Sequence, residues 1–164
     1  MGVPGSASVR ATGVVEALQS AGHEVYDHWT PGLDPPSALR LRKLQLTCGV
    51  LLTSVNAVTA AGELVNMDGI GNRVAASIFG PGQVIFVIGR NKITADLEAA
   101  RDRVRRIAAP RRARELGIKV PCAESGVCTD CNLPARICRA EVILHRAPSL
   151  TPTTVIIVDE ELGN

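Results

Sequence analysis

Three uninterrupted aliphatic runs constrain the fold of this chain more than any other feature. They are GVLLTS at residues 49–54, QVIFVIG at 83–89 and TTVIIVD at 153–159. Continuous runs of Val, Ile and Leu, without regular polar alternation, are typical of parallel strands that are buried on both faces. Aromatic residues make up only 2% of the sequence, so the core of such a sheet has to be aliphatic.

Segments with helical patterns alternate with these strands. Helices are predicted at residues 8–20, from Asp34 and Pro35 onward, at 71–80, and at 95–109, the last ending before Pro110. Shorter strands are predicted within 23–29, 57–66 and 141–145. This alternation predicts the α/β class, with a Rossmann-like, mostly parallel sheet and helices on both faces. We expect a single domain over residues 1–164, with a cysteine-rich loop at 121–139. Because MGVPGS already resembles a strand end entering a glycine turn, we also expect that an upstream βα unit is missing.

The charge and hydropathy of the chain argue against several partners. A net charge of +2 is too small to favour nucleic acid or a membrane surface. No apolar run approaches the roughly 20 residues of a membrane helix, and the N-terminus lacks the apolar core of a signal peptide. We therefore expect a cytoplasmic protein. Residues 101–114 contain seven arginines, but no stacking aromatics accompany them, which favours a solvated helix face over RNA binding.

A dense polar stretch at residues 53–75 is the first candidate site. Ser54 and Asn56 directly follow the strand VLLT, at the position where open α/β sheets bind ligands. The motif DGIGN at 68–72 precedes a helix whose first turn carries Arg73, a fork of donors for a phosphate or carboxylate. Judged by its glycine spacing alone, DGIGN would be a tight turn capped by Asp68, because it is not the dinucleotide-binding fingerprint.

Two other strand ends contribute to the same prediction. Gly5 and Ser6 lie in the turn after the first strand, and Lys92 lies just past the strongest strand. Lys92 would pair with an anionic substrate, although an ordinary solvated lysine is an equally good interpretation. The predicted ligand-binding residues are Gly5, Ser6, Ser54, Asn56, Asp68, Gly69, Gly71, Asn72, Arg73 and Lys92. The sequence predicts no catalytic residue.

The segment PCAESGVCTDCNLPARIC at residues 121–138 contains four of the five cysteines, spaced C-x5-C-x2-C-x6-C. Clustered thiolates suit Zn²⁺ or an iron–sulfur cluster. A reducing cytosol disfavours stable disulfides, and the segment has too few apolar residues to order itself by burial. The predicted metal ligands are Cys122, Cys128, Cys131 and Cys138. Free thiols and a Cys128–Cys131 redox pair remain as alternatives.

Several motifs, in this order, resemble the LUD (lactate-utilisation) domain family. They are TSVNAVTAAGELVNMDGIGNRVAASIFGP, GRNKI, IAAP, the cysteine segment and the closing VDEELG. The similarity covers most of residues 1–163. It implies a fold like that of sugar-phosphate isomerases and CoA transferases. It also implies a link to oxidation of L-lactate to pyruvate, in complexes whose other subunits carry iron–sulfur clusters.

The resemblance leaves three functional hypotheses. The first is a domain that binds a small anionic metabolite in lactate (hydroxy-acid) utilisation, as a subunit of an iron–sulfur redox assembly or as a homo-oligomer. The second is a stand-alone isomerase- or CoA-transferase-like enzyme that acts on a sugar phosphate or acyl-CoA. The related isomerases have an acidic residue where Asn56 stands, which argues against the same chemistry here. The third is a non-catalytic sensor or scaffold that binds metal through its cysteines.

Overall fold

The computed structural model describes residues 1–164, whose backbone divides into two compact units. The parallel-sheet unit comprises Met1–Ser54, Asn72–Asn91 and Ala147–Gly163. The mixed-sheet unit comprises Val55–Gly71, Lys92–Arg146 and Asn164. Each unit contains one sheet of its own.

The chain forms nine strands and seven α-helices. The strands are β1 (Gly2–Val3), β2 (Tyr26–Asp27), β3 (Val50–Thr53), β4 (Ala57–Thr59), β5 (Leu64–Asp68), β6 (Gln83–Gly89), β7 (Ile93–Thr94), β8 (Ala140–Leu144) and β9 (Thr153–Val158). The helices are α1 (Ala7–Ala11), α2 (Val14–Ser20), α3 (Pro35–Gln45), α4 (Asn72–Ile78), α5 (Leu97–Arg103), α6 (Ala109–Glu115) and α7 (Pro121–Ser125). A 3₁₀ turn occupies Arg90–Lys92, and a π-helical turn occupies Val104–Ala108.

The parallel-sheet unit confirms the predicted α/β architecture. Its five strands are ordered β2-β1-β3-β6-β9, and every pairing is parallel. Phe86 of β6 is fully buried between Thr53 of β3 and Val155 of β9. Helices α1 and α2 supply Val9 and Val15 to an aliphatic core that also includes residues of the strands. The aliphatic runs therefore form the predicted parallel sheet.

The mixed-sheet unit contains a four-stranded sheet that the sequence only partly predicts. Its order is β7-β4-β5-β8; β5 is antiparallel to both β4 and β8, and β4 pairs with β7 in parallel. Residues 57–66 were expected to form a turn and one short strand. They contribute to two strands that form a hairpin, because Gly62 adopts φ +94° in the turn and allows the chain to reverse.

The prediction of one continuous helix over residues 8–20 is wrong. The segment forms α1 and α2, separated at Thr12 and Gly13. Gly13 has φ +69°, a left-handed conformation that ends one helix and begins the next. The cap of α1 is Ser6, whose hydroxyl accepts from the Val9 N–H at 3.3 Å. By contrast, α3 begins as predicted, with the Asp34 side chain accepting from Ser37 N–H at 2.8 Å.

The predicted helix end before Pro110 is also wrong. Helical structure continues through the π-helical turn into α6, which contains Pro110 in its first turn. A proline has no N–H to donate, so it normally breaks the helical hydrogen-bond pattern. Here the pattern has already shifted in the preceding π-helical turn, and Pro110 lies at the start of the next α-helix, where its missing N–H is tolerated.

No helix in the chain combines the length and the apolarity that crossing a membrane requires.

Candidate functional site

The turn after β1 places Gly5 and Ser6 in structural positions within the parallel-sheet unit. Gly5 has φ +66°, and a Cβ there would lie 2.7 Å from the Trp29 ring. Glycine is therefore required both for the backbone conformation and for the close approach of the indole. Ser6 is buried and caps α1. Arg10 forms an ion pair with Asp27 and lies 5.1 Å from the centroid of the same indole.

Ser54, Asn72 and Arg73, three further predicted residues, also belong to the parallel-sheet unit. Ser54 is buried directly after β3, and its carbonyl accepts from Arg73 Nη1 at 3.2 Å. Asn72 begins α4, and its Nδ2 lies 3.5 Å from Gln45 Oε1. The structure thus brings a guanidinium to the carboxyl end of a parallel strand, where the sequence predicted an anion-binding group.

Gln45 is a buried polar residue of this unit that sequence reasoning missed. It is completely buried, and its Nε2 donates to the carbonyls of Val3 at 3.0 Å and Tyr26 at 2.8 Å. Nδ1 of His28 lies 3.1 Å from the same Nε2. Burial, followed by the charge of Arg42, lowers the pKa of His28. A glutamine near the end of an amphipathic helix gives no sequence signal of this role.

In the mixed-sheet unit, residues 68–71 of the DGIGN motif form a tight turn. The Asp68 carboxylate accepts from the N–H groups of Ile70 at 2.9 Å and Gly71 at 3.0 Å, which is the Asx-type cap considered from the sequence. Gly71 adopts φ +93°. Gly69 has a different role, because a Cβ there would lie 2.9 Å from the carbonyl oxygen of Ile137. The glycine therefore allows close approach of the cysteine segment.

Two buried cations interact with successive carbonyl groups in the mixed-sheet unit. Lys92, only 4% exposed, donates from Nζ to the Val55 carbonyl at 3.0 Å. Arg103, 7% exposed, donates from Nη1 to the Asn56 carbonyl at 2.5 Å. The Asn56 side chain accepts from Met67 N–H at 2.8 Å. Lys92 is therefore not an ordinary solvated lysine. Arg103 is a further candidate anion-binding residue that the sequence did not distinguish from the other arginines of residues 101–114.

Neighbours of Lys92 in the GRNKI motif hold the C-terminal residues of the parallel-sheet unit. Asn91 accepts from Leu162 N–H and donates to the Gly163 carbonyl, both at 3.1 Å. Arg90 is exposed and pairs with Asp159 at 3.1 Å. Asn91 and Arg90 thus stabilise the position of the C-terminal residues.

The cysteine segment lies wholly in the mixed-sheet unit, and its cysteines are all free thiols. Cys122 is buried with Ala113 and Val120, and Cys131 packs against that cluster. Cys138 packs against a second cluster of apolar residues. As the side chains stand, no three Cys, His, Asp or Glu groups converge on a point that could hold a metal ion.

The four thiols of the segment nevertheless lie close enough to influence one another. Burial, then the neighbouring Cys128 and Cys131, raises the pKa of Cys122. Burial, together with the other three thiols, raises the pKa of Cys138 to about 11, although Arg136 opposes the change. These mutual effects act through charge at a distance, because the thiols do not converge on one point.

The remaining cysteine, Cys48, is a core residue. It is 4% exposed, and its thiol donates to the carbonyls of Gln45 and Val50 at 3.3 and 3.2 Å. Burial is the largest cause that raises its pKa. It belongs to the parallel-sheet unit.

Two chemical capacities emerge from these sites. The buried ammonium and guanidinium groups can hold the negative charge of a carboxylate or phosphate. The clustered thiols can act as ligands for a thiophilic metal once they are deprotonated.

Comparison with known proteins identifies a family and a similar solved structure. The family model of the LUD domain matches residues 1–158. Among solved structures, a DUF162 family protein from Deinococcus radiodurans, determined at 1.70 Å resolution, is similar, with a TM-score of 0.44 and 14% sequence identity. That match covers 96% of this chain and 87% of the other. No curated protein matches the sequence.

Proposed function

The chain belongs to the LUD domain family, and from this premise we propose that it binds a small anionic metabolite of the hydroxy-acid type. In this proposal it acts in lactate utilisation, as a subunit of an iron–sulfur redox assembly. The ligand carboxylate interacts with Lys92, the buried cation of the mixed-sheet unit.

The burial of Lys92 is the observation that supports the proposal most. Lysine side chains are seldom buried so deeply, and a deeply buried ammonium is one of the informative exceptions. Its Nζ is held at the Val55 carbonyl, and Arg103 is held at the next carbonyl, that of Asn56. Two positive charges on successive peptide groups favour an anion beside them. Because the surroundings are buried, solvent screens this attraction less than it would on the surface.

Asn56 favours ligand binding over isomerase chemistry. An amide side chain cannot act as the proton donor that an acidic residue supplies at this position in related isomerases. Its oxygen also accepts the Met67 N–H, so it helps to hold β5. The neighbouring Asp68 carboxylate is likewise engaged, in capping the DGIGN turn.

Calorimetric titration with L-lactate, pyruvate and a phosphorylated sugar tests this proposal. We expect the wild-type chain to bind at least one of the two carboxylates. A Lys92→Met variant keeps the length of the side chain and removes the charge. Because a hydrogen bond to a charged group contributes about 1.5–3 kcal/mol, this variant should bind roughly 10- to 100-fold more weakly. Lys43→Met provides the matched control, because Lys43 is exposed.

Three results would contradict the proposal. Equal affinities of wild type and Lys92→Met would remove Lys92 from the site. Failure of the wild type to bind any of the three probes would remove the proposed ligand class. Turnover of lactate or of a sugar phosphate by the purified chain alone would argue for a stand-alone enzyme and against the subunit role. Thermal unfolding of ligand-free Lys92→Met distinguishes lost affinity from lost folding. Arg73→Ala, titrated in parallel, measures what the guanidinium of the parallel-sheet unit contributes.

A further inference from the structure

Arginine side chains hold the cysteine segment in addition to the apolar contacts of Cys122, Cys131 and Cys138. Arg136 donates to the carbonyl of Cys138 at 2.6 Å, to that of Cys131 at 3.0 Å and to the Asp130 carboxylate at 2.8 Å. One guanidinium group thereby fixes both ends of the Cys131–Cys138 loop. Arg139 donates to the Arg136 carbonyl at 2.9 Å and to the Pro134 carbonyl.

The turn between Cys128 and Cys131 contains one unusual backbone conformation. Asp130 has φ +48° and is the only non-glycine residue of the chain with a positive φ. This conformation directs its N–H toward the Cys128 sulfur, at an N···S distance of 3.4 Å. This hydrogen bond fixes the Cys128 sulfur within the turn. Asp is one of the few non-glycine residues that adopt the left-handed conformation readily, so the turn can direct a backbone N–H at the sulfur.

The other two cysteines are anchored on either side of this turn. Cys122 is buried in the same apolar cluster that Cys131 contacts. Cys138 follows Ile137, whose carbonyl lies against Gly69 of the DGIGN turn. Cys128 is partly exposed and belongs to no apolar cluster, so its side chain can rotate. The four sulfurs do not converge in the present conformation, and joint ligation requires such side-chain rotation.

We propose that Cys122, Cys128, Cys131 and Cys138 are the four thiolate ligands of one metal centre, with Arg136 as its positioning residue. The occupant is either a single Zn²⁺ ion or an iron–sulfur cluster, which share thiolate ligation. This inference is independent of the proposed anion site.

Metal binding replaces thiol protons. Each S–H bond that breaks releases a proton to solvent as a metal–sulfur bond forms, up to four protons per centre. Four thiolates and one Zn²⁺ ion carry a net charge of −2. The guanidinium groups of Arg136 and Arg139, together with Arg114, which donates to the Ala123 carbonyl at 2.9 Å, offset this charge. An iron–sulfur cluster additionally requires iron and inorganic sulfide.

Anaerobic purification of the full chain, followed by metal analysis, acid-labile sulfide analysis and native mass spectrometry, tests the proposal. We expect about one zinc per chain, or iron together with sulfide. In native mass spectrometry, the wild type should be heavier than the metal-free chain by the mass of the metal minus the mass of the displaced protons. This readout does not depend on the folding of any variant. Limited trypsin digestion should cleave at Arg136 and Arg139 only after a chelator has removed the metal.

Serine variants assign the ligands. Cys128→Ser and Cys131→Ser should retain less than about one tenth of the metal, because each removes a ligand of a four-ligand site. Cys48→Ser is the matched control, since Cys48 belongs to the parallel-sheet unit, and it should retain the metal fully.

Arg136→Ala should weaken binding of Co²⁺, used as a spectroscopic probe, about 10- to 100-fold, in line with other groups that orient ligands. Arg136→Lys should not restore it, because an ammonium cannot reproduce the planar fork.

Several results would overturn the proposal. One is an absence of metal both after anaerobic purification and after reconstitution with Zn²⁺ or with iron and sulfide. Another is a Cys128–Cys131 disulfide found under the same anaerobic conditions. Metal that survives both Cys128→Ser and Cys131→Ser would place it elsewhere. Loss of lactate binding with full metal content would count against the anion site alone, and the reverse result would count against the metal centre alone.

Discussion

Strand β6 and the segment Gly126–Arg139 are both ordered, but their surroundings differ. Strand β6 lies between β3 and β9 and buries Val84, Phe86 and Ile88 completely. The segment contains neither helix nor strand, and more than half of its residues are exposed. It includes Val127 and Leu133, apolar residues that are exposed by 57% and 43%. Burial alone accounts for the order of the strand, whereas the segment has only a few apolar contacts, those of Cys131, Ile137 and Cys138.

Different free-energy contributions offset the entropy cost of ordering in the strand and in the segment. Burying one Val, Ile or Phe side chain contributes about 1.5–3 kcal/mol, whereas ordering one residue costs about 1–2 kcal/mol. A strand that is buried on both faces can meet that cost. In the segment, Arg136 and Arg139 make five side-chain hydrogen bonds, each with a net contribution of roughly 0.5–1.5 kcal/mol. A structural zinc ion contributes about 10–16 kcal/mol, which is the scale of what the segment needs.

The largest effect that would test this comparison comes from truncating one apolar side chain in each region. Phe86→Ala should lower the free energy of unfolding by about 3–5 kcal/mol, because it removes a fully buried ring and leaves a cavity. Leu133→Ala should change it by less than about 0.5 kcal/mol, because the side chain is largely exposed. Urea denaturation of the metal-loaded chain measures both.

Equal losses of unfolding free energy in these two variants would contradict the proposed difference between the strand and the segment. A Leu133→Ala variant that is as unstable as Phe86→Ala would mean that the segment, like the sheet, depends on apolar burial. A metal would then not be needed as the main source of the segment's order.

The same contrast explains what the sequence could predict. The aliphatic runs of β3, β6 and β9 identify buried parallel strands because the hydrophobicity of a side chain is a local property and favours burial. The start of α3 was predictable because Asp34 and Pro35 act within one turn. The break at Gly13 and the continuation through Pro110 were not, because each depends on a hydrogen-bond pattern that local propensity does not determine.

The candidate sites also include some features that the local sequence predicts and others that depend on distant residues. The cysteine spacing predicted metal ligands, and this stays a prediction: Cys122 and Cys131 share one apolar cluster, but no three of the thiols converge on a point that could hold a metal ion. Gly69 was assigned to ligand approach, but it admits the carbonyl of Ile137, a residue that is distant in sequence. Gln45 and Arg103 gave no signal, because an amide or a guanidinium that holds a backbone carbonyl looks the same in sequence as a solvated one.

A smaller effect is expected from Gly69→Ala, which tests how the cysteine segment is attached. The new methyl group would lie 2.9 Å from the Ile137 carbonyl oxygen, so one of the two backbones must move. Overpacking of this kind costs about 1–3 kcal/mol. Hydrogen–deuterium exchange should become faster in residues 126–139 and stay unchanged in β6, because only the segment packs on this glycine.

Gly49→Ala is the matched control, because a Cβ there meets nothing within 4 Å and its backbone is not in the left-handed region. It should alter neither exchange nor stability by more than about 0.5 kcal/mol. If Gly69→Ala behaves like Gly49→Ala, the DGIGN turn does not hold the segment, and the arginine network alone fixes its position.

The smallest effect expected is a pH dependence within the parallel-sheet unit, where polar groups as well as apolar ones are buried. Burial, followed by the charge of Arg42, lowers the pKa of His28 below its ordinary value of 6.5. Between these two pKa values the unfolded chain binds a proton that the folded chain does not, so stability rises with pH across this window. The contribution of His28 is fully present above pH 6.5 and is lost as the pH falls through the folded-state pKa.

Urea unfolding between about pH 7.5 and about pH 5.5 should show this loss in the wild type. The loss should be smaller in His28→Gln and unchanged in His23→Gln, because His23 is exposed. Equal slopes in all three proteins would show that protonation of His28 costs nothing, and that the polar groups around Gln45 tolerate charge in a way that the apolar sheet would not.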